Sequence, residues 1–337
     1  MNYSMIIYIL GHLLKFEAIF LLLPMLAGFS YNEIDASIYM VLAFIAFVAG
    51  TLLTLRQPKN KQLFTKEGFV TVALGWIVLS MYGALPFVLT GDIPSYVDAL
   101  FETISGFTTT GASILSDVEA LSYTNLFWRS FTHWIGGMGV FVFILAILPM
   151  IGGSTMYLMK AESPGPSVDK FVPRVKDTAK ILYTLYIGIT LLQIVCLLLA
   201  GMPLFDTLTH TFGTVGTGGF GIKNSSIGGY TSLQQNIITF FMIASGVNYS
   251  AYFYIISKNF KDAFKMEEVR WYFGIILASV FIITLNTWHL YTGFGETVKH
   301  SFFQVASIIT TTGYSTTDFD LWPELSKTIL VLLMVIG

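Results

Sequence analysis

Backbone carbonyls can do chemistry where a short extended stretch is rich in glycine and threonine, and this chain carries such a stretch three times. The copies read Phe107-Thr108-Thr109-Thr110-Gly111-Ala112-Ser113, Val215-Gly216-Thr217-Gly218-Gly219-Phe220-Gly221 and Ile309-Thr310-Thr311-Thr312-Gly313-Tyr314-Ser315. Glycine reaches backbone dihedrals closed to other residues, so successive carbonyls can be turned toward one axis. A row of such carbonyls replaces the hydration shell of a cation. The threonines add hydroxyls beside the row. No carboxylate stands inside any of the three stretches. Neutral oxygens dehydrate and then release a monovalent ion, whereas a ring of acids would hold a divalent one more tightly. The candidate cation ligands are Thr109, Thr110 and Gly111; Thr217, Gly218 and Gly219; and Thr311, Thr312 and Gly313. The three glycines recur at intervals of roughly 100 residues, the scale of a membrane unit and not of a solenoid repeat.

The elements that must hold these stretches follow from composition. The chain has 337 residues, 54% apolar and 11% charged. A soluble domain carries about 25% charged residues, so this chain has too few to cover itself. A membrane protein is the reading that composition allows. Runs of about 20 apolar residues, the length a bilayer requires, cover 5–29, 36–55, 68–90, 123–150, 181–201, 233–257 and 271–292. An eighth begins near 324. Between the members of the last three pairs, the eighth run included, lie shorter, semi-polar segments at 97–107, 205–215 and 298–309. Each leads into one of the glycine–threonine stretches, so each is expected to be a re-entrant pore helix. Non-helical backbone at membrane depth persists only where protein buries it or water reaches it. A helix that ends at the stretch also aims its partially negative C-terminus at the cation.

Charge placement gives the orientation. Most of the 18 basic residues fall in the loops 56–66, 151–180 and 258–270. The alternate loops carry acids, among them Glu33, Asp35, Asp92, Asp117, Glu296 and Asp318. Excess Lys and Arg marks the cytoplasmic side, and all three basic loops share one side under this alternation. The N-terminus is therefore expected in the cytoplasm and the three stretches near the outer face. The first apolar run is too long for a cleavable signal peptide and is followed at once by another.

Other residues carry weaker signals. Gly216-Thr217-Gly218-Gly219-Phe220-Gly221 matches G-x-G-x-x-G, but no acid follows at the distance a dinucleotide site needs. His12, His133, His210, His289 and His300 have no metal-ligand spacing and read as interfacial or hydrogen-bonded residues. His133 beside Trp134 has the composition of a membrane interface. Asp98 and Asp206 read as helix N-caps, with Glu102 and Asp206 the candidates for concentrating cations at the mouth. Lys15 and Glu17 read as residues near a helix end that snorkel or pair with neighbouring helices. Gly136, Gly137 and Gly139 read as close-packing positions. Asn248 and Tyr249 either line the cavity or make a buried polar contact. Cys196, the one cysteine, excludes an intramolecular disulfide. Nothing forms a catalytic constellation or a phosphate-gripping loop, so the chain is not expected to be an enzyme.

The three stretches resemble the filter segments of the Trk/Ktr/HKT potassium transporter superfamily. Trp134-Ile135-Gly136-Gly137-Met138-Gly139, Glu162-Ser163-Pro164-Gly165-Pro166 and Pro173-Arg174 add to the resemblance. Within it the chain is most similar to bacterial TrkH/TrkG pore subunits, because a further helix pair precedes the repeats. The resemblance implies an all-α polytopic membrane protein of repeated helix–pore helix–filter–helix units around a pseudo-fourfold pore. On that plan residues 1–56 are an accessory helix pair, 67–150 the first pore repeat, 180–257 the second and 271–337 an incomplete third, with the fourth absent. The implied function is channel-like K⁺ uptake through the nine residues named above. K⁺ is the transported ion, with no cofactor. The implied partners are a TrkA-like cytosolic nucleotide-binding regulatory subunit, a second copy of the chain in a homodimer, and membrane lipid, with no nucleic acid. The implied location is the bacterial cytoplasmic (inner) membrane. Two alternatives stay open: a symporter coupling K⁺ to H⁺ or Na⁺, and a non-conducting membrane fragment.

Overall fold

The computed structural model describes residues 1–60, 64–139 and 175–337. The described residues are helical or in turns and loops, with no strand. Helical stretches long and apolar enough to cross a membrane are Tyr3–Ser30, Ala36–Thr54, Lys66–Thr90, Ile181–Leu199 and Glu267–Leu290. The chain is thus a multi-pass, all-α membrane protein. Its outward side chains agree: Phe44, Leu277 and Phe281 are each about two-thirds exposed, as lipid-facing residues must be.

Two compact units divide the chain. The first comprises residues 1–108 and 112–184. It contains α1 (Tyr3–Phe20), α2 (Leu22–Ser30), α3 (Ala36–Thr54), α4 (Thr65–Gly83), α5 (Leu85–Thr90), α6 (Tyr96–Phe107) and α7 (Tyr123–Gly137). Helices α1 and α3 cross at Gly11 and Gly50, where an added Cβ at Gly11 would lie 3.0 Å from the Gly50 carbonyl oxygen. Small residues allow this backbone approach in lipid, where apolar burial gives no drive to associate. Lys15 pairs with the neighbouring helix, its Nζ donating to Thr54 Oγ1 at 2.6 Å. Pro86 opens α5 and separates it from α4. An aromatic core of Tyr39, Phe107 and Trp128 joins α3, α6 and α7. Trp128 donates its indole N–H to the Gly83 carbonyl at 2.9 Å.

The second unit comprises residues 109–111 and 185–337. It holds the later part of α8 (Val175–Leu199), then α9 (Leu204–Val215), α10 (Ser232–Gly246), α11 (Tyr249–Ile256), α12 (Phe260–Lys265), α13 (Glu267–Thr287), α14 (Phe294–Ile309) and α15 (Glu324–Ile336). Its core gathers Leu197, Ile238, Met242, Ile276, Phe303 and Leu330.

The expected span 233–257 is not one helix. Val247 is extended at φ −73 and ψ 137, and the Asn248 side chain accepts from Ser250 N to start α11 afresh. The carbonyls freed at the end of α10 are taken by hydroxyls: Tyr252 donates to Ala244 and Tyr272 to Ile243. Asn248 also donates to Glu268 at 3.0 Å, so it makes a polar contact between helices. The expected span 123–150 is seen as α7; its remainder from 140, with residues 162–166 and 173–174, lies outside the described residues.

Candidate cation filter

Each glycine–threonine stretch follows a short helix: α6 ends at Phe107, α9 at Val215 and α14 at Ile309. The three then take the same unusual backbone path. Thr109, Thr217 and Thr311 sit in the left-handed region at φ 54, 52 and 57. Two residues on, Gly111, Gly219 and Gly313 sit at φ 74, 78 and 85. Few non-glycine residues accept positive φ, so three equivalent threonines there mark a conformation held by its surroundings.

Hydrogen bonds show what holds it. Gly218 N and Gly219 N both donate to the Gly213 carbonyl in α9, at 2.9 and 3.3 Å. Thr312 N and Gly313 N both donate to the Ser307 carbonyl in α14, at 2.9 and 3.2 Å. In a trans peptide the C=O points opposite to the N–H. The carbonyls of Thr217 and Gly218, and those of Thr311 and Thr312, therefore point away from their pore helices. A regular strand would alternate them.

Those carbonyls meet the neighbouring loops. A Cβ added to Gly111 would collide with the Gly218 carbonyl oxygen and lie 3.9 Å from that of Thr312. A Cβ added to Gly219 would collide with the Thr312 carbonyl oxygen. At Gly313 the equivalent direction is open, with nothing within 4 Å. The nine candidate ligands are thus brought together in the second unit, to which Thr109–Gly111 belongs by contact. Thr310 and Thr312 share a hydroxyl–hydroxyl bond of 2.7 Å beneath the third loop.

The expected roles of the flanking acids change. Glu102 is buried, not at a mouth, and accepts from Arg129 Nε at 2.5 Å. It also accepts from Ser113 Oγ at 3.0 Å and Ile114 N at 3.1 Å, so it anchors the chain just after the first stretch. A charge inside the membrane is costly unless paired, and Arg129 supplies the pair. Asp98 is not the cap of α6; Ser95 is, accepting from Asp98 N. Asp206 lies in the first turn of α9, which has no side-chain cap. Its carboxylate accepts from Tyr230 at 2.8 Å and pairs with Lys223 at 3.9 Å. His133 is fully buried in α7, not interfacial. His210 and His300 are hydrogen-bonded as expected, to Tyr230 and to Thr316. Glu17 does not reach an interface: it is 1% exposed, and its carboxylate has no hydrogen-bond partner among the described residues.

The Glu102–Arg129 pair had a signal in the sequence. Arg129 is a lone charge in an otherwise apolar span, and Glu102 lies in a segment that must pack against it. Tyr314, whose hydroxyl ties the third loop to α9 and Phe220, and Tyr230, which bonds Asp206 and His210 of α9, had none, since aromatic residues are common throughout the chain.

Comparison with known proteins follows the geometry. A family model described as TrkH, cation transport protein, matches residues 36–337. The Trk system potassium uptake protein TrkH of Salmonella typhimurium is 36% identical over all of this chain and 71% of its own length. The Trk system potassium uptake protein TrkG of Escherichia coli is 34% identical over 96% of this chain and 68% of its own. The crystal structure of the potassium transporter TrkH from Vibrio parahaemolyticus superposes with a TM-score of 0.84 at 31% identity, covering 99% of this chain and 70% of that one. Its repeated all-helical architecture is the one seen here. The chain belongs to the TrkH family of cation transport proteins.

Proposed function

We propose that this protein takes up potassium across the bacterial cytoplasmic membrane through a filter of backbone carbonyls. The observation that carries it is the shared backbone path of the three loops, with the N–H groups of the second and third spent on their pore helices and their carbonyls left for an ion. Thr109, Thr110, Gly111, Thr217, Gly218, Gly219, Thr311, Thr312 and Gly313 are the proposed K⁺ ligands. The potassium named in the relatives' titles supports the choice of ion. The chain works by passage and not by catalysis, and needs no cofactor.

The proposed arrangement places an accessory helix pair at 1–56 and pore repeats at 67–150, 180–257 and 271–337 about a pseudo-fourfold axis. The basic loops support a cytoplasmic N-terminus. A TrkA-like cytosolic subunit that binds nucleotide and gates the pore, and assembly as a homodimer, complete the reading by likeness to the Trk system.

A second reading is symport with H⁺ or Na⁺. Glu17 favours it, because a buried intramembrane carboxyl with no hydrogen-bond partner among the described residues is a candidate for carrying a proton. Flux into liposomes holding the purified protein separates the two. K⁺ movement indifferent to imposed Na⁺ and H⁺ gradients supports the channel-like pore. Uphill K⁺ accumulation driven by either gradient overturns it in favour of symport.

A further inference from the structure

The residue after each filter glycine differs among the three loops: Ala112, Phe220 and Tyr314. Of these only Tyr314 carries a hydroxyl, and it is fully buried. That hydroxyl lies 3.3 Å from the Phe220 carbonyl oxygen, directly after the second loop, and 3.4 Å from the His210 carbonyl oxygen in α9. The Tyr314 main chain is fixed from the other side, its carbonyl accepting from Ser307 Oγ at 2.6 Å. One residue therefore links the pore helix of the third loop, through its main chain, to both the helix and the filter loop of the second, through its side chain.

The surroundings are shaped to receive it. Gly213, whose carbonyl accepts the two filter N–H groups, has no room for a Cβ because the Tyr314 hydroxyl occupies that space. The His210 ring meets Tyr314 edge-on at 5.8 Å between centroids. His210 Nε2 pairs with the Tyr230 hydroxyl at 2.9 Å, and that hydroxyl donates to Asp206 at 2.8 Å. Since Tyr230 gives its proton to the carboxylate, His210 is the donor to Tyr230 and is held as the Nε2–H tautomer. Lys223 sits over the Tyr230 ring at 4.3 Å. The ring that backs Tyr314 is thereby locked from the outer loop.

We propose that Tyr314 is a positioning residue for ion selectivity, a brace that sets the spacing between the second and third filter loops. This rests on the filter reading above. The physical argument is one of stiffness. A carbonyl filter discriminates between ions of one charge only while its oxygens keep their positions. The brace holds the Phe220 carbonyl and the Gly313–Tyr314 segment against one another through a single donor. No ligand of the ion is removed when the hydroxyl is lost; the loops alone are released.

The test is the K⁺/Na⁺ permeability ratio of the reconstituted protein for three variants beside the wild type. Tyr314→Phe removes the hydroxyl and keeps the ring. Gly213→Ala keeps the tyrosine and pushes its hydroxyl aside. Gly313→Ser is the filter control. Tyr314→Phe is expected to lower the ratio roughly three- to tenfold, the worth of one neutral hydrogen bond, with K⁺ transport retained. Gly213→Ala is expected to lower it as well. If Gly313→Ser lowers the ratio while Tyr314→Phe and Gly213→Ala leave it unchanged, the brace is refuted and the filter stands. If Tyr314→Phe reduces only the amount of folded protein, at an unchanged ratio, its role is structural and the proposal fails. If none of the three moves the ratio, the filter reading falls and the brace falls with it.

Discussion

At the scale of single residues, two kinds of position carry the account: glycines that cannot be replaced for different reasons, and charges that cannot be separated. Gly111 and Gly219 combine positive φ with a neighbouring carbonyl in the space of a Cβ, whereas Gly313 has positive φ alone. Left-handed backbone costs an L-residue about 1–2 kcal/mol. Alanine at Gly313 is therefore expected to cost about that much, and alanine at Gly111 or Gly219 more, because a carbonyl must also move. Thermal unfolding of the three purified variants in detergent checks the order; equal losses would refute the steric argument. Arg129 and Glu102 are both buried and bound to each other. Removing one partner of a buried pair costs about 3–5 kcal/mol, since the other charge is left uncompensated. Arg129→Ala is expected to lose most folded protein, while Glu102→Gln, which keeps an acceptor for Ser113 Oγ, is expected to lose less. Yields of folded protein by size-exclusion chromatography decide this. Comparable losses in the two variants would contradict it. The recurrence of glycine and threonine was visible in the sequence. The sign of φ at Thr109, Thr217 and Thr311 was not, because threonine alone predicts nothing of the kind.

At the scale of elements, helix ends are what position the loops, and several are set by side chains far away in sequence. The N-terminus of α7 is satisfied by Glu33, which accepts from Tyr123 N at 2.7 Å and Thr124 N at 2.8 Å. Asp92 adds acceptance from Ser122 N and Asn125 Nδ2 at 2.9 and 2.6 Å. Two carboxylates at one helix start satisfy orphan N–H groups and complement the dipole. Loss of a capping acceptor costs about 1 kcal/mol. Glu33→Gln and Asp92→Asn are each expected to lower the unfolding temperature modestly, with K⁺/Na⁺ selectivity unchanged because neither touches the filter loops. A change of selectivity without loss of stability would contradict this placement. Apolar run length and the semi-polar segments made the helices legible: α6, α9 and α14 stand where short re-entrant helices are expected. Hydropathy could not show the break at Val247, which is a matter of Asn248 capping a new helix inside a continuous apolar run. It also read Asp98 and Asp206 as caps by residue type. The cap of α6 is Ser95, and Asp206 serves Tyr230 instead, because tertiary partners compete for the same carboxylate.

At the scale of the whole molecule, the low charge content forced a membrane protein, and internal repetition forced a shared architecture. Family membership and structural likeness to a potassium transporter agree with both. Three loops share one backbone pattern, each on the C-terminus of a short helix, and we propose that the neutral oxygens they bring together hold a partially dehydrated cation. On the proposed reading selectivity belongs to backbone geometry, and side chains act on it by holding that geometry, as Tyr314 does. The most direct test is the K⁺/Na⁺ permeability ratio of the reconstituted protein before and after Gly111→Ser and Gly313→Ser. The wild type is predicted to favour K⁺. Each variant is predicted to lose at least about tenfold of that preference, equivalent to ~1.4 kcal/mol. An unchanged ratio in both variants would contradict the assignment of these loops as the filter.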